Sequence, residues 1–395
     1  MKWMAVVTGC ALSLFAREAD LQSLLDAAGS SDAAKASEYA VQAHALNQRS
    51  ELLSGGVRLN AQAGYADAKE TSDDAIEFSI AVEKPFRLAD GSAVERALDT
   101  GTEISVRMER ARLQNRIYGH YIDACRLREE LWLLEDAHSR GQQMETLIRT
   151  GMEGGEFDRS AWLRSRLNVQ TLSLQIDDLD SRYAETLALL GASVQSEVSG
   201  VRCSDLPERI VLPPQSVFEH APLLRQLENR LAGSNALKTY RDTWLPEVTL
   251  GAGYDDEMDL QRGILYASVP LGGGSRRENE REAARRDALA DAAALRTMQR
   301  TIAARVAAFT AVQETRQWNL RRLNDELIPD AYETTELLRE RFMGSEASYL
   351  EYIDSQKALF ALLMEGVRLR AGALKAEAEL FARLGISPAL NKDNK

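Results

Sequence analysis

Two pairs of short segments in this chain alternate apolar and polar residues with a period of two. In the first pair, apolar side chains fall at Leu59, Ala61, Ala63 and Tyr65, and then at Ile76, Phe78, Ile80 and Val82. A weaker copy follows at Val248, Leu250, Ala252 and Tyr254, and then at Leu265, Ala267 and Val269. This period predicts β-strands with one apolar face. The polar stretches 67–74 and 255–261 predict hairpin loops, and Pro85 and Pro270 are expected to end the second strand of each pair.

Helical periodicity dominates the remaining chain. Only Pro329 interrupts the segment from Ser275 to Arg341, which would form a helix about 100 Å long at a rise of 1.5 Å per residue. A coiled-coil seam is predicted because apolar residues recur every seven positions: Ala288, Leu295, Ile302, Phe309 and Leu323, with Ala292, Val306, Leu320 and Leu327 four later. Ser92 and Ser275 each precede a Glu by three residues, which indicates a capping box at a helix start. Shorter helices are predicted near 20–53 and 218–242.

The chain carries this plan twice. Residues 154–166 align without a gap on residues 344–356, and residues 63–65 align on 252–254. Repeats in a fixed order predict a duplicated structural unit. We divide the sequence into a first repeat at 18–200, a linker at 201–214, a second repeat at 215–388 and a polar tail at 389–395. Each repeat has a strand pair (about 57–86 and 247–272) followed by a helical hairpin (about 92–195 and 275–385).

Four strands with one apolar face predict a membrane sheet that several chains must complete. A sheet in lipid must close on itself, and closed membrane barrels begin at about eight strands. Two chains would supply eight strands and three would supply twelve. The predicted fold is therefore mainly α, with a β-hairpin pair per chain that becomes part of an oligomeric barrel.

The N-terminus has the character of an export signal. Lys2 is followed by an uncharged run from Trp3 to Ala16, which is too short to span a bilayer as a helix. We predict a signal peptide at residues 1–17. The alternative is a lipoprotein signal, because Val7-Thr8-Gly9-Cys10 is similar to a lipobox and would make Cys10 a lipidation site.

Charge and composition argue against several other functions. The formal net charge is -12, which disfavours nucleic acid as a partner. The four histidines are scattered, and we expect no metal, no cofactor and no enzymatic activity. Cys125 lies in a helical segment and Cys203 in the linker. We expect two free thiols, although export would permit a bridge.

The order of these features resembles the TolC family of outer-membrane efflux proteins. Three motifs carry the resemblance over nearly all of the mature chain: Trp244-Leu245-Pro246 before the third strand, Val269-Pro270-Leu271-Gly272 after the fourth, and Gly344-x-Glu-x-Ser. The resemblance implies a homotrimer with a 12-stranded barrel in outer-membrane lipid and a helical coiled-coil barrel in the periplasm of a Gram-negative bacterium. It also implies a periplasmic adaptor (membrane fusion) protein and an inner-membrane pump of the RND type. Compact loops resemble the heavy-metal efflux branch, but metal ions, drugs and proteins all remain open as cargo.

The resemblance also implies two kinds of site. Two acidic residues three apart would narrow the pore, and here they are Glu351 and Asp354, which share one helix face. One more residue separates them from the tip glycine than the family pattern has, and a solvated helix face is the alternative. The hairpin tips would dock the adaptor through Gly154, Glu156, Asp158, Gly344, Glu346 and Ser348. We expect positive φ at both tip glycines. For the whole chain, the alternative is a soluble periplasmic coiled-coil adaptor or structural protein.

Overall fold

A computed structural model describes most of the chain. The described residues are 18–52, 57–67, 74–87, 90–207, 213–243, 247–257, 260–269, 275–344 and 346–388. The predicted signal peptide at 1–17, the possible lipidation site Cys10 and the polar tail at 389–395 lie outside them.

Each half of the sequence contains helices, then two strands, then long helices. The first half has α1 (Leu21–Ser30), α2 (Asp32–Leu52), β1 (Arg58–Asp67), β2 (Asp74–Arg87), α3 (Ser92–Glu153) and α4 (Arg159–Val194). The second half has α5 (Gln215–Glu219), α6 (Pro222–Asp242), β3 (Glu247–Glu257), β4 (Leu260–Ser268), α7 (Ser275–Arg322), a π-helical turn (Leu323–Leu327), α8 (Ile328–Met343) and α9 (Tyr349–Leu384). A 3₁₀ turn, Cys203–Asp205, lies in the linker.

The four strands form one antiparallel sheet in the order β1-β2-β3-β4. One transverse row pairs Leu59 with Val82, Val82 with Ala252, and Ala252 with Leu265. The register therefore places the alternating apolar residues of all four strands on one face, because side-chain direction alternates along a strand. This face is open: Leu59 is 69% exposed and Leu265 is 87% exposed.

Two expectations about the strands are wrong. β2 continues through Pro85, which pairs with Thr249, and ends at Arg87. Among the described strands, β1 pairs with β2 only as far as Glu83, so at Pro85 the strand has one neighbour, which is where a sheet tolerates proline. The acidic stretch 255–261 is largely strand rather than loop, because Asp255 pairs with Arg262.

Serine and aspartate side chains shape the helix starts differently from the expected pattern. The helix predicted near 20–53 is two helices, since Ser31 interrupts it and accepts the Ala34 N–H at 3.3 Å. At the start of α3, the Ser92 N–H donates to Asp90 at 2.9 Å, and Ser92 is already inside the helix. The same hydrogen bond lowers the pKa of Asp90. The predicted Ser92 capping box is therefore wrong.

The residues group into two compact units that cut across the sequence repeats. One unit contains residues up to 35, 110–214 and 306 onward, and the other contains 36–109 and 215–305. We call the first of these two units the tip unit. In its core, α1, α3 and α4 pack around Leu21, Ile117, Tyr121 and Leu190. Each unit therefore contains segments of both repeats.

Within the tip unit, ion pairs join α3 of the first repeat to α9 of the second. Lys375 binds Asp123 at 2.6 Å, Arg370 binds Glu129, and Arg368 binds Glu130 at 3.1 Å. Glu130 is only 1% exposed and also binds Arg126 at 2.9 Å. A buried carboxylate needs such compensation, because an unpaired charge is costly inside a protein.

The π-helical turn shifts the coiled-coil seam by one residue. Leu327, predicted on the seam, is 36% exposed. Past the turn, the buried positions are Thr335 and Phe342, and upstream the matching buried position is Gln313. Thr335 lies 22 residues after Gln313, one more than three heptads. A π turn contains one extra residue per turn, so it keeps the following helix facing the same way.

Candidate functional site: the hairpin tips and the acidic pair

The first tip joins α3 to α4 through five residues. Gly154 does not have positive φ; Gly155 does, at 82°. The Glu156 N–H then donates to the Gly151 carbonyl at 2.7 Å, which satisfies a carbonyl left open at the end of α3. The expectation for Gly154 was one residue off, because two adjacent glycines offer the chain a choice.

Asp158 has a defined structural role at this tip. Its carboxylate is the N-cap of α4 and accepts the Ala161 N–H at 2.6 Å and the Ser160 hydroxyl at 2.9 Å. These donors lower the pKa of Asp158. An exposed carboxylate at a helix start is also favoured by the helix dipole.

The second tip uses a different turn. Gly344 has φ of -83°, so the expected positive φ is absent here too. Its N–H donates to Glu340 at 2.9 Å, and the Glu346 N–H donates to the Arg341 carbonyl at 2.8 Å. The Gly344 bond is α-type, whereas the Glu346 bond spans five residues, as the Glu156–Gly151 bond does at the first tip, and neither requires left-handed backbone at Gly344.

An aromatic cluster fastens the two tips together. Phe342 stacks on Phe157 with ring centroids 5.1 Å apart, and its ring also lies 5.9 Å from Tyr349 and 6.0 Å from Tyr352. Ile148 and Ile353 complete the buried part of this cluster. Sequence reasoning did not identify it, although the repeat alignment had placed Trp162 opposite Tyr352, and both residues belong to the cluster. The shared signal was a pair of aromatics at equivalent helix positions.

The predicted docking residues share one property. All of them are exposed and lie at or beside the two turns: Gly154, Glu156, Asp158, Gly344, Glu346 and Ser348. The aromatic cluster behind them fixes the two turns side by side. The tips therefore present one composite surface with three carboxylates, Glu156, Asp158 and Glu346, rather than two separate loops.

Glu351 and Asp354 both project to solvent from the first turns of α9. The intervening residues Tyr352 and Ile353 are 4% and 5% exposed and belong to the aromatic cluster. The two carboxylates therefore occupy the helix face turned away from that cluster. In the described part of the chain, no cation pairs with Asp354.

Glu351 also performs a local task that the sequence reasoning missed. It forms a capping box with Ser348: the Ser348 N–H donates to Glu351 Oε2 at 2.8 Å, and the Glu351 N–H donates to Ser348 Oγ at 3.3 Å. The Ser348 donors lower the pKa of Glu351, so the carboxylate stays ionised to lower pH. The signal was present as Ser348 three residues before Glu351.

The two cysteines beyond residue 17 form a disulfide, so the expectation of free thiols is wrong. Cys125 of α3 and Cys203 of the linker have Cα atoms 5.4 Å apart. Cys203 reaches α3 because the linker folds back on it, a tertiary arrangement that residue spacing does not reveal.

Comparison with known proteins places this geometry. No family model matches the chain. A curated relative, the pyoverdine export outer membrane protein OpmQ of Pseudomonas putida, is 24% identical over 371 residues, covering 85% of this chain and 75% of that protein. VceC of Vibrio cholerae, an outer membrane protein, is 15% identical with a TM-score of 0.73, covering 93% of this chain and 96% of VceC. CusC is 16% identical with a TM-score of 0.74, covering 93% and 92%.

The chain has the fold of the TolC-type outer-membrane channels. The CmeC outer membrane channel of Campylobacter jejuni shares this fold with a TM-score of 0.71 at 13% identity, over 94% of this chain and 87% of CmeC. The predicted family resemblance and fold class are thereby confirmed.

None of the helices within the described ranges is both long enough and apolar enough to cross a membrane. In the same ranges, no group of three or more His, Cys, Asp or Glu side chains is arranged to hold a metal ion.

Proposed function

We propose that this protein is an outer-membrane export channel that conducts its cargo passively and functions as a homotrimer. The observation that carries the proposal is the four-stranded sheet with its open apolar face. In water such a face would promote aggregation, whereas in lipid it is the expected outer surface of a barrel wall. Three copies would contribute twelve strands.

The proposed partners are a periplasmic adaptor, which would dock at the hairpin tips, and an inner-membrane pump. The fold supports this assignment, because channels of this type belong to three-part export systems. An RND-type pump is our candidate. The exposed carboxylates of the tips would meet basic groups on the adaptor.

The cargo is proposed by analogy with the curated relative. OpmQ is named for pyoverdine export, and a secreted small molecule of that general kind is our first candidate. Metal ions, drugs and proteins are the alternatives. Accumulation of the cargo inside cells that lack this gene, measured by mass spectrometry, would distinguish them.

We further propose that Glu351 and Asp354 line the narrowest part of the pore. Their exposure on one helix face supports this role, and three copies would bring six carboxylates around the axis. Such a ring favours cations, because like charges attract a common counter-ion. The expected consequence is cation selectivity and block by multivalent cations in single-channel recordings.

The sheet provides the sharpest test of the function. Leu265→Asp puts a charge on the apolar face, where it opposes membrane insertion, while Gln62→Asp puts the same charge on the opposite face. We expect Leu265→Asp to remove the heat-modifiable trimer from the outer-membrane fraction and Gln62→Asp to keep it. A soluble monomer in the periplasm for the unmodified chain would refute the channel and favour the soluble adaptor alternative.

A further inference from the structure

The Cys125–Cys203 disulfide closes the base of the first helical hairpin. The cysteines are 78 residues apart in sequence, and the ring they close contains the lower part of α3, the first tip and all of α4. Cys125 is 3% exposed in the core of the tip unit, while Cys203 is partly exposed in its 3₁₀ turn. The bond therefore joins a buried helix position to a surface linker.

Hydrogen bonds hold the linker on both of its sides, next to Cys203. The Tyr121 hydroxyl donates to the Arg202 carbonyl, and Arg128 donates to the Val201 carbonyl at 2.5 Å. On the other side, the Arg202 N–H donates to the Ala19 carbonyl at 3.0 Å. The linker is thus held between α3 and the segment before α1.

An ion pair completes the arrangement. Arg128 binds Glu18 at 2.8 Å, and the Ala19 N–H donates to Gly200 at 2.9 Å. Val201 is fully buried in the core of the tip unit, and Cys203 packs against that core. The disulfide adds a covalent link to these contacts, and together they hold residues 18–19 and 200–203 in register on α3.

The second repeat has no equivalent. The sequence contains three cysteines, Cys10, Cys125 and Cys203, so no thiol is available in residues 215–388. The chain just after α9 is instead held to α3 of the first repeat by a hydrogen bond, in which Asn115 donates to the Ile386 carbonyl at 2.7 Å. The first repeat alone is closed covalently.

We propose that this chain is a substrate of periplasmic dithiol oxidation, and that the resulting disulfide is what orders the crossover between its two repeats. In the reaction, the thiolate of the partly exposed Cys203 attacks a disulfide of a protein oxidant and forms a mixed disulfide. The Cys125 thiolate then attacks the Cys203 sulfur of the mixed disulfide, which forms the Cys125–Cys203 bond and releases the oxidant as a dithiol. The two cysteines lose two protons and two electrons, and the oxidant gains both electrons.

This inference rests on the proposed function only for the compartment, because export delivers the chain to an oxidising space. The first experiment expresses the full chain in hosts with and without their periplasmic dithiol oxidase. Envelope protein is alkylated, digested without reduction and mapped by mass spectrometry. We expect a peptide linking Cys125 to Cys203 with the oxidase, and both cysteines alkylated without it.

Two outcomes would overturn the proposal: alkylation of both cysteines in the host with the oxidase, or equal linkage in the two hosts. Retention of the chain in the cytoplasm would instead refute export, so the two failures are distinguishable.

The second experiment measures amide exchange in the purified Cys125→Ala/Cys203→Ala protein. We expect exchange at residues 18–25 and 196–207 to accelerate at least about tenfold, with the start of α9 at 349–356, which packs at the tips, unchanged as the internal control. Unchanged exchange at 196–207, or equal acceleration at 349–356, would show that the disulfide does not order the crossover. Reducing the unmodified protein with dithiothreitol should reproduce the variant, which guards against an effect of the alanines themselves.

Discussion

Phe342 should hold both hairpin tips in place, although it lies on only one of them. Its ring contacts Phe157 from the first tip and Tyr349 and Tyr352 from the second, and it is 3% exposed. Replacing a buried Phe by Ala costs about 3–5 kcal/mol, and the lost aromatic pairs are included in that range. Even the lower figure corresponds to an opening equilibrium about 100-fold more favourable.

The assay is amide hydrogen exchange on the assembled protein carrying Phe342→Ala. Two reporter amides are Glu156, whose N–H binds Gly151 at 2.7 Å, and Glu346, whose N–H binds Arg341 at 2.8 Å. We expect both to exchange about 100-fold faster. Met343→Ala is the matched control, since Met343 is the next residue after Phe342 and its own side chain is 56% exposed. Acceleration at Glu346 alone would refute the idea that one cluster supports both tips.

If the alanine variant fails to assemble, Phe342→Leu offers a milder change. It keeps most of the volume and removes the ring stacking, and we expect about tenfold faster exchange at both reporters. The same pattern at both tips would support the cluster, and an effect confined to the second tip would contradict it.

Three further predictions concern α9 and the first tip. Ser348→Ala should fray the start of α9, with about 1 kcal/mol of stability lost, and leave ion selectivity intact. Asp354→Asn should lower cation selectivity without fraying the helix. Equal cation selectivity of the two variants in planar bilayers would contradict a pore role for Asp354. Burial raises the pKa of Glu377 to about 7. The protonated side chain therefore contributes its full stabilisation of the fold below the unfolded-state pKa near 4.5, and this stabilisation is lost as the pH rises through 7. Glu377→Gln should therefore leave the melting temperature unchanged at pH 4.5 and raise it at pH 8, and a constant difference between the two pH values would contradict this. Gly155→Ala forces a left-handed alanine at φ of 82° and should cost about 1 kcal/mol, whereas Gly154→Ala should cost less; circular-dichroism melts compare them.

Much of the fold could be predicted because the strands and the long helices follow from the local periodicity of apolar residues. The alternation around Leu59 and Val82 predicts strands with one apolar face, and the sheet register pairs these two residues. The long helices follow from seven-residue spacing in the same way. The ends of these elements were less predictable: among the described strands, Pro85 pairs with β3 alone, because the pairing of β2 with β1 stops at Glu83, and this depends on the neighbouring strand and not on the local sequence.

The candidate site was predictable in position but not in detail. Tip glycines and the Glu351–Asp354 spacing located the turns and the exposed helix face. The capping role of Glu351 was visible in the sequence and was overlooked, because the same residue also fitted the acidic pair. The Phe342 cluster and the Cys125–Cys203 bond join distant segments, and such pairings depend on tertiary structure.

The π-helical turn at Leu323–Leu327 bears on how the length of this helix can change. A heptad pattern tolerates substitutions freely but not the gain of a single codon, which would rotate every later residue off the seam. Here one surplus residue is confined to one wide turn, and Thr335 and Phe342 remain buried beyond it. The turn therefore absorbs one residue of length without rotating the helix that follows. Removing the exposed Asn324 should give an uninterrupted α-helix with Phe342 still facing its three aromatic neighbours.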